Sequence, residues 1–236
     1  MITVEDLVHT YDGDRVLDGI SLSIDDGEWI ILAGPNGSGK TTLVRQFNAL
    51  LEPDEGSVFV DGVDVQEQPV TARTSVGMVF QSPRSQFVAA TVGADVAFGP
   101  ENLGLAREEI DRRVEESLAA VNLGGRGDER IDELSGGEQA RIAIAGALAM
   151  DPEHLVLDEP FTGLDWPAQQ SVLSQLDELH ADGTGIIVVT HDVRDVLSRA
   201  DRVVGLSSGK IAFDLPPERA VDRLGEIDVR KPDRVE

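Results

Sequence analysis

Between Gly34 and Thr41 the chain gathers three glycines, a lysine and a threonine in the stretch Gly34-Pro35-Asn36-Gly37-Ser38-Gly39-Lys40-Thr41. Glycines let a backbone curl until its N–H groups point inward at one anion. A helix starting near Gly39 aims the positive end of its dipole at the same point. Lys40 can then reach the β- and γ-phosphates of a nucleotide, and the Thr41 hydroxyl can hold Mg²⁺, with Thr42 next in line at the helix start. The spacing is that of a P-loop, G-x-x-x-x-G-K-[ST], which needs a strand before it and a helix after it.

Carboxylates follow at His154-Leu155-Val156-Leu157-Asp158-Glu159-Pro160, an apolar run ending in two acids. Strand ends of a parallel sheet open onto the ligand crevice. There Asp158 can bind the metal through water, and Glu159 can position or deprotonate a water attacking the γ-phosphate. Gln81 follows the apolar run Val76–Phe80, and His191 follows Ile186–Thr190. A glutamine there can touch Mg²⁺ and the attacking water. Alone, each reads as a surface or structural residue; behind a P-loop they complete a set.

Leu134-Ser135-Gly136-Gly137-Glu138 opens an alanine-rich helical segment. Ser135 can cap that helix, and the two glycines leave its first amides bare. Bare amides and the helix dipole make a second anion site. One chain has no need of two γ-phosphate sites, but a second chain presenting this helix to the first chain's nucleotide does.

The elements that must position these residues are legible as well. Trp29–Ala33 reads as a buried strand feeding the Gly-rich turn and a helix to about Leu50. Ser57–Val60 and Val76–Phe80 read as strands, Arg107–Asn122 and Gly136–Met150 as helices. Leu155–Leu157 and Ile186–Val189 suit central parallel strands covered on both faces. Asp201–Leu206 and Lys210–Asp214 flank a hairpin turn at Ser207-Ser208-Gly209. Ile2–Val8 and Val16–Ile24 read as antiparallel strands around Asp12-Gly13-Asp14. The expected architecture is α/β: a RecA-like doubly wound core, an antiparallel β subdomain and a helical subdomain. It forms one domain over residues 1–236, with core and β parts at about 1–80 and 151–214, helices at about 82–150, and a short charged tail at 215–236.

The chain has 236 residues and no cysteine, which removes disulfides and thiolate zinc sites. No run of about 18 apolar residues is present, and Met1–Asp6 lacks the basic and apolar segments of a secretory signal; both point to the cytosol. The 44 acids against 20 Lys+Arg give a formal net charge of −24. Such a surface repels phosphate backbones, so no nucleic-acid partner is expected. The lysines are Lys40, Lys210 and Lys231 alone. An acidic, lysine-poor surface suits molar salt, where the Debye length falls to about 3 Å; the chain reads as halophilic.

Taken in order, Tyr11, Gly34–Thr41, Gln81, Leu134–Glu138, Asp158-Glu159, Gly163-Leu164-Asp165 and His191 resemble the motif series of the ABC ATPases, and the likeness spans Tyr11 to about Asp214. The resemblance implies a P-loop NTPase cassette that hydrolyses ATP with Mg²⁺. Tyr11 then stacks on adenine, Ser135, Gly136, Gly137 and Glu138 meet the partner's nucleotide, and two cassettes close around two ATPs. Val79–Pro83 and Asp95–Leu105 resemble energy-coupling-factor importers of vitamins or of cobalt and nickel. Their ATPases lie on the cytoplasmic face of the membrane, on a transmembrane coupling subunit joined by a substrate-binding membrane subunit. Phe161-Thr162 and Trp166-Pro167 depart from the usual pattern; between cargoes the reading leans to biotin over cobalt. The segment Ser82–Leu105, with Phe87, Val88, Val92, Phe98, Asp95 and Glu101, is the expected dock for the coupling subunit. Soluble ABC ATPases of DNA repair or translation need a long coiled-coil insertion or a second fused cassette, and the chain has neither. A P-loop kinase or GTPase would leave the Ser135 motif and His191 without a role.

Overall fold

The structure, a computed structural model, describes residues 1–232. Strands β1 (Ile2–Tyr11) and β2 (Asp14–Ile24) form a hairpin, and β3 (Trp29–Ala33) runs into the Gly-rich turn and α1 (Lys40–Val44). Then come β4 (Glu55–Val60), β5 (Val63–Asp64), α2 (Pro69–Ser75) and β6 (Val76–Val79). Three helices follow: α3 (Val92–Asn102), α4 (Arg107–Ala120) and α5 (Gly136–Leu148). The chain returns to β7 (His154–Asp158), α6 (Trp166–Ala181), β8 (Gly185–Thr190), β9 (Arg202–Ser207), β10 (Lys210–Leu215) and α7 (Pro217–Arg223).

Two sheets result. β2-β1-β4-β5 is antiparallel; β10-β9-β3-β8-β7-β6 is parallel except for the β9–β10 hairpin. In the second sheet neighbouring side chains point to opposite faces, and both faces are covered. Trp29, Ile31 and Ala33 of β3 enter one core with α4, α5 and α6. Ile30 and Leu32 enter the other, with Leu43, Phe47 and the antiparallel sheet. Leu155 and Leu157 against Val156, and Ile186 and Val188 against Ile187 and Val189, divide likewise. That explains the uninterrupted apolar runs.

Register places the chemistry. Ala33 pairs with Thr190, and Asp158 with Val189. The strands being parallel, the turn after β3, the residues after β8 and the acids ending β7 leave the sheet side by side at one edge. β6 ends beside β7 there and delivers Gln81.

Three elements differ from the sequence expectation. The helix after the Gly-rich turn ends at Val44, not near Leu50. Beyond it Gln46 N–H bonds Leu43 O at 3.0 Å and Phe47 N–H bonds Val44 O at 3.2 Å, the tighter three-residue spacing. Ala49 then takes φ +53°, and the amides of Leu50 and Leu51 both close on Arg45 O, a left-handed C-cap that stops the helix. α6, which the pattern reading passed over, is 16 residues long and is capped by the Asp165 carboxylate on Ala168 N–H at 3.0 Å. The expected short charged tail at 215–236 holds structure over its described part. α7 and the turn Leu224–Ile227 bury Ala220, Leu224, Ile227 and Val229 in the core.

Candidate active site

The turn Gly34–Gly39 is tight for reasons its glycines satisfy. A Cβ on Gly34 would lie 2.2 Å from Leu206 O, and Gly39 has φ +101°. Lys40 is buried, and its ammonium donates to Gly34 O at 2.7 Å and Pro35 O at 3.0 Å. Burial holds the Lys40 ammonium below the ordinary lysine value, against the pull of Glu159 and Asp158.

Thr41 Oγ1 donates to Asp158 Oδ2 at 2.8 Å, across 117 residues of sequence. Asp158 is buried, and desolvation raises its carboxyl above the usual range. Its Oδ1, like the buried Ser38 Oγ, has no hydrogen-bond partner among the described residues. Two unpartnered oxygens lining one cavity with a buried ammonium fit a polyphosphate with a divalent ion, which would complete both.

Glu159 has φ +51°, an unusual conformation for a non-glycine residue, held by its N–H on Val189 O at 2.9 Å. The next strand secures its carboxylate. Oε1 meets His191 Nδ1 at 2.7 Å and accepts the His191 amide at 3.0 Å, and Oε2 accepts Thr190 Oγ1 at 3.3 Å.

A cavity of about 370 Å³ joins Val16, Asn36–Thr42, Gln81, Asp158 and Glu159. Gly37 through Thr42, Gln81 and the two acids therefore meet as the spacing predicts. Tyr11 is outside this lining, 43% exposed at the end of the same hairpin as Val16, with its ring 4.8 Å edge-on from His9. Gly34 and Pro35 serve instead as the acceptors of Lys40. Sequence reasoning missed Val16, which carries no polar signal, and Thr190, whose hydroxyl becomes relevant only beside Glu159.

Ser135, Gly136, Gly137 and Glu138 stand outside that cavity. They form a full capping box at the start of α5. Ser135 N–H and Oγ both donate to Glu138 Oε2, at 2.8 and 2.6 Å, and Glu138 N–H donates back to Ser135 Oγ at 3.3 Å. A Cβ on Gly137 would come within 2.7 Å of Ala168 Cβ, so the starts of α5 and α6 abut. Trp166, at the head of α6, is 71% exposed beside them.

Known proteins are similar to this chain in sequence and fold. The family model described as ABC transporter matches residues 17–162. A putative ABC transporter ATP-binding protein of Halobacterium salinarum is 62% identical over 98% of this chain and 100% of its own length. The cobalt import ATP-binding protein CbiO of Syntrophus aciditrophicus is 48% identical over 92% of this chain and 79% of its own. The energy-coupling factor transporter ATP-binding protein EcfA of Methanocaldococcus jannaschii is 42% identical over 98% and 86%. Among solved structures, cbiO1 of Clostridium perfringens, part of the ABC transporter complex cbiONQ, superposes with a TM-score of 0.85 at 35% identity, covering 94% of this chain and 90% of that one. A dimeric ATP-binding cassette in a post-hydrolysis state with ADP and Pi gives 0.82 at 28%, covering 92% and 99%. With the P-loop, the acids and the capped α5 all placed as described, the chain belongs to the ABC transporter family: it is an ATP-binding, ATP-hydrolysing transport cassette similar to the energy-coupling-factor and CbiO ATPases.

Proposed function

We propose that this chain powers an energy-coupling-factor importer, two cassettes closing around two ATPs on the cytoplasmic face of the membrane. The amides of Gly37–Thr42 and the Lys40 ammonium hold the phosphates, Lys40 leaving the carbonyls of Gly34 and Pro35 to do so. Tyr11 stacks on the adenine. Thr41, Asp158 and Gln81 hold Mg²⁺, which when bound offsets phosphate charge. Glu159 orients a water and accepts its proton, while His191 fixes the carboxylate that does so. The observation that carries the reading is the division of the site. Glu159, Asp158 and Lys40 converge on one cavity, whereas the capped helix start at Ser135–Glu138 lies outside it, where the nucleotide of a second chain would meet it.

The membrane partners of this proposal dock on the Ser82–Leu105 segment. A groove of about 310 Å³ there is lined by Phe80, Val88, Phe98 and Met150 among others, with Val88 59% and Phe98 48% exposed. Two expected contacts change. Val92 is fully buried, and Asp95 accepts the amides of Val88 and Ala89 at 2.7 and 3.0 Å, which commits its carboxylate to the loop. Glu101 remains for a cationic partner residue, 3.7 Å from Arg107. The cargo proposed is a vitamin or a cobalt or nickel ion; CbiO of Syntrophus aciditrophicus is named for cobalt.

Glu159→Gln tests the reading. It should retain ATP, lose about 10²–10⁴ in hydrolysis rate, and form a dimer with ATP-Mg²⁺ on size-exclusion chromatography. A mutant that stays monomeric and turns over normally refutes it.

A further inference from the structure

The start of α5 carries an inconsistency that the capping box creates. A helix N-terminus offered to another chain's phosphates should be open and positive. Here the Glu138 carboxylate lies over it, bonded to both Ser135 N–H and Ser135 Oγ. The box suits an isolated chain, but it sets a negative charge where phosphate has to arrive and engages the single hydroxyl proton of Ser135. Protonation cannot remove that charge. The bonds from Ser135 and Arg126 hold the Glu138 carboxyl down at about 2, so only a cation can offset it.

That cation is Arg126. Its Nη1 reaches Glu138 Oε1 at 2.8 Å, while Nε and Nη2 grip Glu129 at 2.9 and 2.6 Å. With three nitrogens engaged, the guanidinium has one orientation. Its segment is pinned as well: Gly93 N–H bonds Gly127 O at 2.8 Å, and Val92 N–H bonds Glu129 O at 3.0 Å. Oε1 of Glu138 is thus drawn to Arg126, leaving Oε2 alone on Ser135.

We infer that Arg126 is a positioning residue of the second anion site, partly offsetting the charge of Glu138, which it shares with Glu129, and holding that carboxylate aside so that the start of α5 can receive the phosphates bound by another copy of the chain. This rests on the shared-site reading above. It implies that, when the chains meet, the Ser135 hydroxyl exchanges its bond to Glu138 for one to phosphate, and that Arg126 supports the carboxylate left behind.

The test uses the full chain carrying Glu159→Gln as parent, with two readouts: the ATP concentration for half-maximal dimerisation, and the affinity of dilute monomer for a fluorescent ATP analogue. Arg126→Gln should raise the first roughly three- to thirtyfold and leave the second unchanged. Adding Glu138→Gln should restore dimerisation to within about twofold of the parent, because glutamine keeps the capping box without the charge. A merely structural role for Arg126 gives no such rescue. Arg126→Gln dimerising at the parent's ATP concentration overturns the inference, as does a double variant no better than Arg126→Gln alone. A parent that never dimerises overturns the shared-site reading and the role of Arg126 with it, whereas the first two results leave that reading standing.

Discussion

Replacing Lys40 by alanine removes the ammonium from the P-loop cavity, where it is bonded to loop carbonyls, and takes no residue from either apolar core. Charge-assisted bonds are worth about 1.5–3 kcal/mol each, so losing two to phosphate should weaken ATP binding roughly a hundredfold or more. A titration with fluorescent ATP analogue checks this, and circular dichroism should show the fold retained. At the same scale, Glu159 combines a left-handed backbone with a carboxylate fixed by His191 and Thr190. Backbone strain of this kind costs of order 1–3 kcal/mol, and it lies at the residue proposed to handle the water.

Leu224 tests what the element after β10 does. It is fully buried, so Leu224→Ala should destabilise the chain by about 2–5 kcal/mol, read by urea unfolding, with ATP affinity of the folded protein unchanged. A segment that packs against nothing would tolerate the change. The sequence reading placed the strand ends and the P-loop because each rests on a local signal: an uninterrupted apolar run, or glycines at fixed spacing. Arg223-Leu224 is different. Its stretch is rich in charge, and the apolar positions Ala220, Leu224 and Ile227 recur every three or four residues, a helical period that only becomes persuasive once β9 and β10 are there to cover. α6 hid for a different reason, since its start at Trp166-Pro167 becomes legible only once the Asp165 carboxylate is seen capping the helix behind it. The shortened α1 was illegible, because its end depends on Ala49 adopting a conformation that no residue type there announces. The division between Lys40 and Ser135 was legible as a need for two chains, but the Arg126–Glu138 pair was not: the two residues are 12 apart in sequence and separated by a turn.

Over the whole molecule, repulsion sets the response to salt. Twenty cations cannot pair one-to-one with 44 acids, and the net charge is −24. Exposed ion pairs contribute about 0–1 kcal/mol each, so screening them costs little, while screening the excess acids relieves a repulsion that acts across the entire surface. The melting temperature should therefore rise from dilute buffer to molar KCl, and a melting curve indifferent to salt would contradict this. The distribution of the two indoles has a separate consequence. Trp29 is 1% exposed within the sheet core, and Trp166 is 71% exposed beside the start of α5. The chain's ultraviolet emission is therefore the sum of one blue, constant source and one red, solvent-quenched source. A change of colour on adding nucleotide can be assigned to position 166, which makes the unlabelled protein an optical gauge of what approaches that surface.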